Sequence, residues 1–180
     1  MVRGTIAACG LIAFALVTSG CGRPAPTRLA AERPQPSRPV SAQEVAREGG
    51  VAPDFSFTTL DGKTIELSDL KGKPVVLNFW ASWCHYCLGE APDLEVLYKK
   101  YSPQGLQMLG VGTDDPAALK RKAEELKLTY AIGSEPNAAK LYGVNGIPHT
   151  FFISRDGKIA KSLLGAAPRA ELEAQIKRIL

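Results

Sequence analysis

The sequence predicts an α/β domain, a mixed central sheet flanked by helices with a β-hairpin extension ahead of it. Three observations carry this. The run Val75-Val76-Leu77-Asn78-Phe79-Trp80 is almost wholly apolar, the mark of a strand covered on both faces. Segments with helical spacing of apolar residues alternate with further short apolar runs after it. Asp61-Gly62 and Asp156-Gly157 each stand between strand-like segments and supply the positive φ of a tight turn.

Taken in order, segments 55–59 and 63–67 flank Leu60-Asp61-Gly62 and form the front hairpin. Segment 75–80 is the central strand. It runs through Ala81-Ser82-Trp83 into Cys84-His85-Tyr86-Cys87, where a helix starts at Cys84 and continues to about Tyr101. Leu94, Leu97, Tyr98 and Tyr101 line one face of that helix, and Pro92 is expected to kink it by removing a backbone donor. Segment 106–113 is a strand. Asp114 or Asp115 can cap the next helix, with Pro116 in its first turn and Leu119, Ala123 and Leu126 facing inward. A short helix at 138–142 ends at Gly143-Val144-Asn145-Gly146, and strands follow at 150–153 and 158–164. Pro168 opens a terminal helix with a packing stripe of Leu172, Ile176, Ile179 and Leu180. The predicted order is β-β-β-α-β-α-α-β-β-α, with a parallel-capable front half and an antiparallel hairpin at the back.

The first 20 residues hold one charge, Arg3, then an apolar run and small residues, the pattern of a secretory signal at 1–20. The run is shorter than the roughly 20 apolar residues of a membrane span. Val17-Thr18-Ser19-Gly20-Cys21 resembles the bacterial lipobox, although Thr18 stands where that motif favours Leu. The resemblance implies acylation of Cys21, with each buried CH₂ contributing about 0.8 kcal/mol to membrane attachment. Ordinary cleavage leaving a free thiol is the alternative. Residues 21–50 are Pro-rich, carry five Arg and three Glu, and lack a large apolar face, so they form a flexible tether to a domain at 51–180. That domain holds 16 Lys and Arg against 15 Asp and Glu, a balance that does not suggest nucleic acid.

Of the four cysteines, Cys9 leaves with the signal and Cys21 takes lipid, so Cys84 and Cys87 remain as a pair. A strand that delivers two thiols to a helix start is built for redox exchange. Cysteines three apart share a helix face within reach of a disulfide, and the helix N-terminus stabilises negative charge on the first, so Cys84 is expected to be an acidic thiol. In an oxidising compartment the pair oxidises unless a dedicated system keeps it reduced.

Four pieces occur in order: Ala52-Pro53-Asp54-Phe55 with the hairpin, Asn78 to Cys84 with Cys87, Glu90-Ala91-Pro92, and Tyr142-Gly143-Val144 with Gly146-Ile147-Pro148 and Thr150-Phe151-Phe152-Ile153. Together, over residues 52–180, they resemble the thioredoxin superfamily, and more closely its TlpA/ResA branch of extracytoplasmic, membrane-anchored thiol-disulfide oxidoreductases. The resemblance implies a thioredoxin fold and dithiol exchange on the periplasmic face, with the redox-active Cys84-Cys87 disulfide and no separate cofactor. It implies Cys84 as nucleophile, Cys87 as resolving thiol, and a cis Ile147-Pro148 peptide facing them, whose neighbouring backbone pairs with an extended substrate. Asn78 stands where cytoplasmic thioredoxins carry a buried Asp. Members of the branch have Asn there and a Glu three beyond the second cysteine, here Glu90, placed on a helix to take the Cys87 proton. A surface Glu that merely interacts with the helix is the alternative. The implied partners are protein thiols and disulfides, apocytochromes c among them, and a membrane thiol-transfer reductant that supplies electrons.

Two departures open other readings. Most relatives have Pro at the second position between the cysteines, where this chain has His85-Tyr86. An imidazolium near a thiolate stabilises the reduced form, which points toward a disulfide isomerase or oxidant. Glu90-Ala91-Pro92 favours a reductant. His149, after Pro148, with Cys84 and Cys87 makes a soft ligand set for copper or zinc, hence a copper-delivery alternative; otherwise His85 and His149 are rim residues that tune charge and substrate choice. A non-enzymatic binder presenting Trp83, Tyr86 and Ile147 to unfolded chains is also open. Haem attachment needs His where Leu88 stands, and a zinc ribbon needs a second cysteine pair. Peroxiredoxins share the Ala52-Pro53-Asp54-Phe55 opening, but their peroxide-binding pattern has Thr where Ala81 stands.

Overall fold

The computed structural model describes residues 46–180. The signal, Cys21 and most of the tether lie outside the described residues. Among the described residues no helix is long and apolar enough to cross a membrane.

The strand β3 (Val75–Trp80) is buried at every position. Its alternation splits the core. Val76 and Trp80 face one layer, while Val75, Leu77 and Phe79 face the other. The first layer takes α1 (His85–Tyr101) through Leu94, Leu97 and Tyr101, α2 (Pro116–Glu125) through Leu119 and Ala123, and α4 (Arg169–Ile179) through Leu172, Ile176 and Ile179. The second layer takes Phe55 and Phe57, Leu67 and Leu70 of a 3₁₀ turn, and Ala138 of α3 (Pro136–Leu141) with Tyr142 after it.

Among the described residues seven strands form one mixed sheet. β1 (Ser56–Thr59) and β2 (Thr64–Glu66) make the front hairpin, and β4 (Gln107–Gly112) runs parallel to β3. β5 (Ala131–Ser134) lies parallel to β4, and β6 (His149–Ile153) lies antiparallel to both β3 and β7 (Ile159–Leu164). The spatial order is β2-β1-β5-β4-β3-β6-β7. This is the thioredoxin-type arrangement with an N-terminal hairpin.

The strand β5 is absent from the expected element order, yet it joins the front hairpin to the rest of the sheet. Four residues reading Ala-Ile-Gly-Ser offer neither alternation nor an apolar run, so periodicity is silent there. Its signal is Gly133, where a Cβ would lie 2.0 Å from the Thr58 carbonyl oxygen, so only glycine allows the two strands to approach. Other differences are small. Leu67 belongs to the 3₁₀ turn rather than the strand, α3 starts at Pro136, and Leu126 is half-buried at the end of α2, while Pro92 lies inside α1 as expected.

Contacts with the folded body begin ahead of residue 51. Ala46 N–H donates to Leu141 O at 3.2 Å, and Gly49 and Gly50 exchange backbone bonds with Ile159 at 2.8 and 2.9 Å. The Glu48 carboxylate accepts the Ser162 N–H at 2.9 Å and pairs with Lys161 at 3.1 Å, which covers part of the outer edge of β7.

Gly133→Ala is expected to cost about 1–3 kcal/mol through forced strand separation. Urea titration should give a lower midpoint at an unchanged slope; a wild-type midpoint would mean that the β1–β5 contact yields without cost.

Candidate active site

At the end of β3 the chain turns through buried Ala81, whose carbonyl accepts the Cys84 N–H at 3.1 Å. Cys84 is the N-cap of α1, and its Sγ accepts the Cys87 N–H at 3.2 Å. The two sulfurs form a disulfide across a Cα–Cα distance of 5.2 Å, and both residues are buried. The Ile147-Pro148 peptide is cis, and the Ile147 carbonyl oxygen lies 3.9 Å from Cys84 Sγ. The four residues thus meet at one place. Trp83 and Tyr86, beside the cysteines in the chain, are each 71% exposed, and Leu164, paired with His149 next to Pro148, is 61% exposed, so three large apolar side chains lie at the surface by the site. His85 is exposed beside Tyr86, with ring centroids 6.0 Å apart.

Glu90 lies one turn further along α1 and is only 4% exposed. Its Oε1 accepts the Ala167 N–H at 2.9 Å from the loop before α4, and its Oε2 lies 3.4 Å from the Asn78 amide nitrogen. Asn78 Nδ2 also donates to Thr150 Oγ1 at 2.8 Å, across the β3–β6 pair. Desolvation pushes the Glu90 carboxyl above its ordinary range, and the nearby Asp93 adds to this, while the Ala167 and Asn78 hydrogen bonds pull the other way. Glu90 is therefore not a surface residue. An open groove of about 300 Å³, lined also by His85, Tyr86, Gly89 and Asp93, leads to it from solvent.

The ligand set of the copper-delivery alternative, Cys84, Cys87 and His149, is not gathered among the described residues. His149 alternates to the second core layer, where its ring packs on Phe151 at 4.3 Å and burial pushes its pKa down. Among the described residues no three His, Cys, Asp or Glu side chains are placed to hold a metal ion. Sequence reasoning also missed Thr150 and Ala167 as partners of the Asn78–Glu90 pair, and Asp114 as a partner of Ser82. Both Asp114 oxygens lie near the Ser82 N–H, at 3.2 and 3.1 Å. The adjacent Asp-Asp pair was its one visible signal.

A model of the AhpC/TSA family matches residues 49–162. The chain is 39% identical over 142 residues to the thiol-disulfide oxidoreductase ResA of Bacillus cereus, covering 77% of this chain and 82% of that protein. Among solved structures, a thiol:disulfide interchange protein of the thioredoxin family from Chlorobium tepidum superposes with a TM-score of 0.68 at 27% identity, covering 74% of this chain and 97% of that one. A secreted Mycobacterium tuberculosis disulfide oxidoreductase homologous to E. coli DsbE gives 0.64 at 26% identity, covering 69% and 95%. The chain belongs to the AhpC/TSA family and is a ResA-like thiol-disulfide oxidoreductase with a Cys84-x-x-Cys87 active site.

Because the folded protein holds the Glu90 proton more tightly than the unfolded chain does, the associated stability is complete below the unfolded carboxylate range near 4.5. It is lost as pH rises through the higher folded value. Glu90→Gln cannot ionise, so its melting temperature is expected to gain on that of the wild type across this window. Parallel pH profiles for the two proteins would contradict the raised pKa.

Proposed function

We propose that this protein works outside the cytoplasm as a reductant of disulfides in partner proteins, with Cys84 as nucleophile, Cys87 as resolving thiol and Glu90 as proton acceptor. The observation that carries this reading is the buried Glu90 carboxylate, held by two neutral N–H donors one helical turn beyond the cysteine pair. In the reduced enzyme the Cys84 thiolate takes the place of Sγ as acceptor of the Cys87 N–H, at the favourable end of the α1 dipole. It attacks one sulfur of a client disulfide; that bond breaks, and the departing client thiolate takes a proton. Cys87 then attacks Cys84 Sγ of the mixed disulfide and gives its proton to Glu90. The second client sulfur leaves as a thiolate and takes a proton from Glu90 or water, and the Cys84-Cys87 disulfide forms. Two electrons have passed from the dithiol to the client.

The exposed rim of Trp83 and Tyr86, with the backbone at Ile147-Pro148, receives the client as an extended segment. Resemblance to the TlpA/ResA branch supports apocytochromes c as clients, in cytochrome c maturation, and a membrane thiol-transfer protein as electron source. The signal-like segment 1–20 and Cys21 support a membrane-anchored lipoprotein on the periplasmic face. His85-Tyr86, exposed between the cysteines, favours a second reading as isomerase or oxidant, since an imidazolium there stabilises the thiolate.

The reduction potential separates the two readings. A value near about −270 mV, as in thioredoxin, is expected; one at or above about −180 mV, as in protein disulfide isomerase, would assign the isomerase or oxidant reading. In single-turnover assays Glu90→Gln should slow resolution of a trapped mixed disulfide by about a hundredfold while sparing its formation, and an unchanged rate would remove Glu90 from proton transfer. Metabolic labelling with a fatty-acid analogue is expected to disappear in Cys21→Ser, and persistent label would exclude lipidation there.

A further inference from the structure

Two adjacent aspartates open α2, and they do different work. Asp115 caps the helix, its carboxylate accepting the Ala118 N–H at 2.9 Å. Asp114 turns back across the sheet end to the loop that precedes Cys84. Its oxygens sit 3.2 and 3.1 Å from the Ser82 nitrogen, and the Ser82 hydroxyl also donates to Oδ2. Next to it, the Thr113 N–H donates to Trp80 O at 3.0 Å, so the β4–α2 loop is laced to the β3–α1 loop twice within three residues. Among the described residues no Lys, Arg or His nitrogen lies within ion-pair distance of Asp114.

We infer that Asp114 is a positioning residue for the nucleophile: it fixes the Ser82-Trp83 approach to Cys84, and its half-buried charge offsets the helix dipole that favours the Cys84 thiolate. The inference rests on Cys84 being the nucleophile. The helix N-terminus draws negative charge onto Sγ, whereas a carboxylate anchored two residues earlier in the chain repels it. The result is a thiol less acidic than a bare helix cap would give and a less stable reduced form, which makes the couple a better reductant. The other titratable groups about Cys84 are Cys87, His85, Tyr86 and Glu90 on α1 and His149 on β6, and all of them are unchanged in the Asp114 variants, so a shift between those variants and the wild type reports on Asp114.

The test is iodoacetamide alkylation of the reduced protein as a function of pH, with the modified cysteine located by mass spectrometry and the reduction potential measured alongside. Asp114→Asn keeps an acceptor for the Ser82 N–H and removes the charge, and Asp114→Ser removes the charge with a shorter side chain. Either is expected to alkylate at Cys84 about threefold or more faster below the wild-type midpoint, with the midpoint moved to lower pH and the couple made more oxidising. Ser82→Ala keeps the charge and should retain the wild-type midpoint. A folded, uncharged variant with the wild-type midpoint overturns the inference, as does a Ser82→Ala shift equal to that of Asp114→Asn. First alkylation of the wild type at Cys87 would instead remove the nucleophile assignment, and the inference with it.

Discussion

The burial of β3 on both faces is the constraint from which the rest of the site follows. A strand covered above and below gives access to solvent only past its ends: Trp80 and Ala81 are still buried, and the chain becomes exposed at Trp83, beside the buried Cys84. The same alternation that sends Val76 and Trp80 toward α1 sends Asn78 to that side too. A buried amide needs partners, and Asn78 finds them in Thr150 and Glu90. The polar group inside the core is thus satisfied by the carboxylate that stands behind the redox pair.

The character of that carboxylate depends on what holds it. An Arg or Lys beside Glu90 would pull its pKa down and leave a permanent anion with little affinity for a proton. Its partners here are a backbone N–H and a side-chain amide, which fix its geometry and only partly offset desolvation. Glu95, also buried on α1, has the opposite balance. It accepts the Thr129 N–H at 2.8 Å and pairs with Lys99 at 2.9 Å, and its pKa falls. One helix therefore carries two buried glutamates, one whose carboxyl is pushed up by desolvation and one held down as a structural anion that ties α1 to the segment before β5.

Close approach between layers is set by glycines rather than by large side chains. On the α-helical face of β4, a Cβ at Gly112 would lie 2.0 Å from Leu119, and one at Gly110 would meet Tyr130 and Trp80 at 3.0 and 3.3 Å. These gaps let α2 settle against the sheet end, which brings the β4–α2 loop within hydrogen-bond distance of the loop before Cys84. The packing of a helix remote in sequence from the cysteines thereby fixes the backbone beside them.

How much was legible in the sequence follows from the range of each interaction. The β3 run, the Cys84-x-x-Cys87 pair, the front hairpin and the face of α1 are written locally, within a strand or a few helical turns, and periodicity exposes them. Glu90 was legible only through the resemblance to the TlpA/ResA branch, whose members have a Glu three residues beyond the second cysteine. Its environment was not, because Thr150 and Ala167 approach from 72 and 77 residues beyond Asn78 and Glu90, through strand pairing and a loop that carry no mark of their own. The same holds for Asp114, 32 residues beyond Ser82, and for β5, which exists as a strand only because β1 and β4 offer edges on either side of it. The identity of the reacting atoms is a local property of this chain, whereas their proton affinities belong to the tertiary fold; a motif can therefore name the nucleophile without giving its potential.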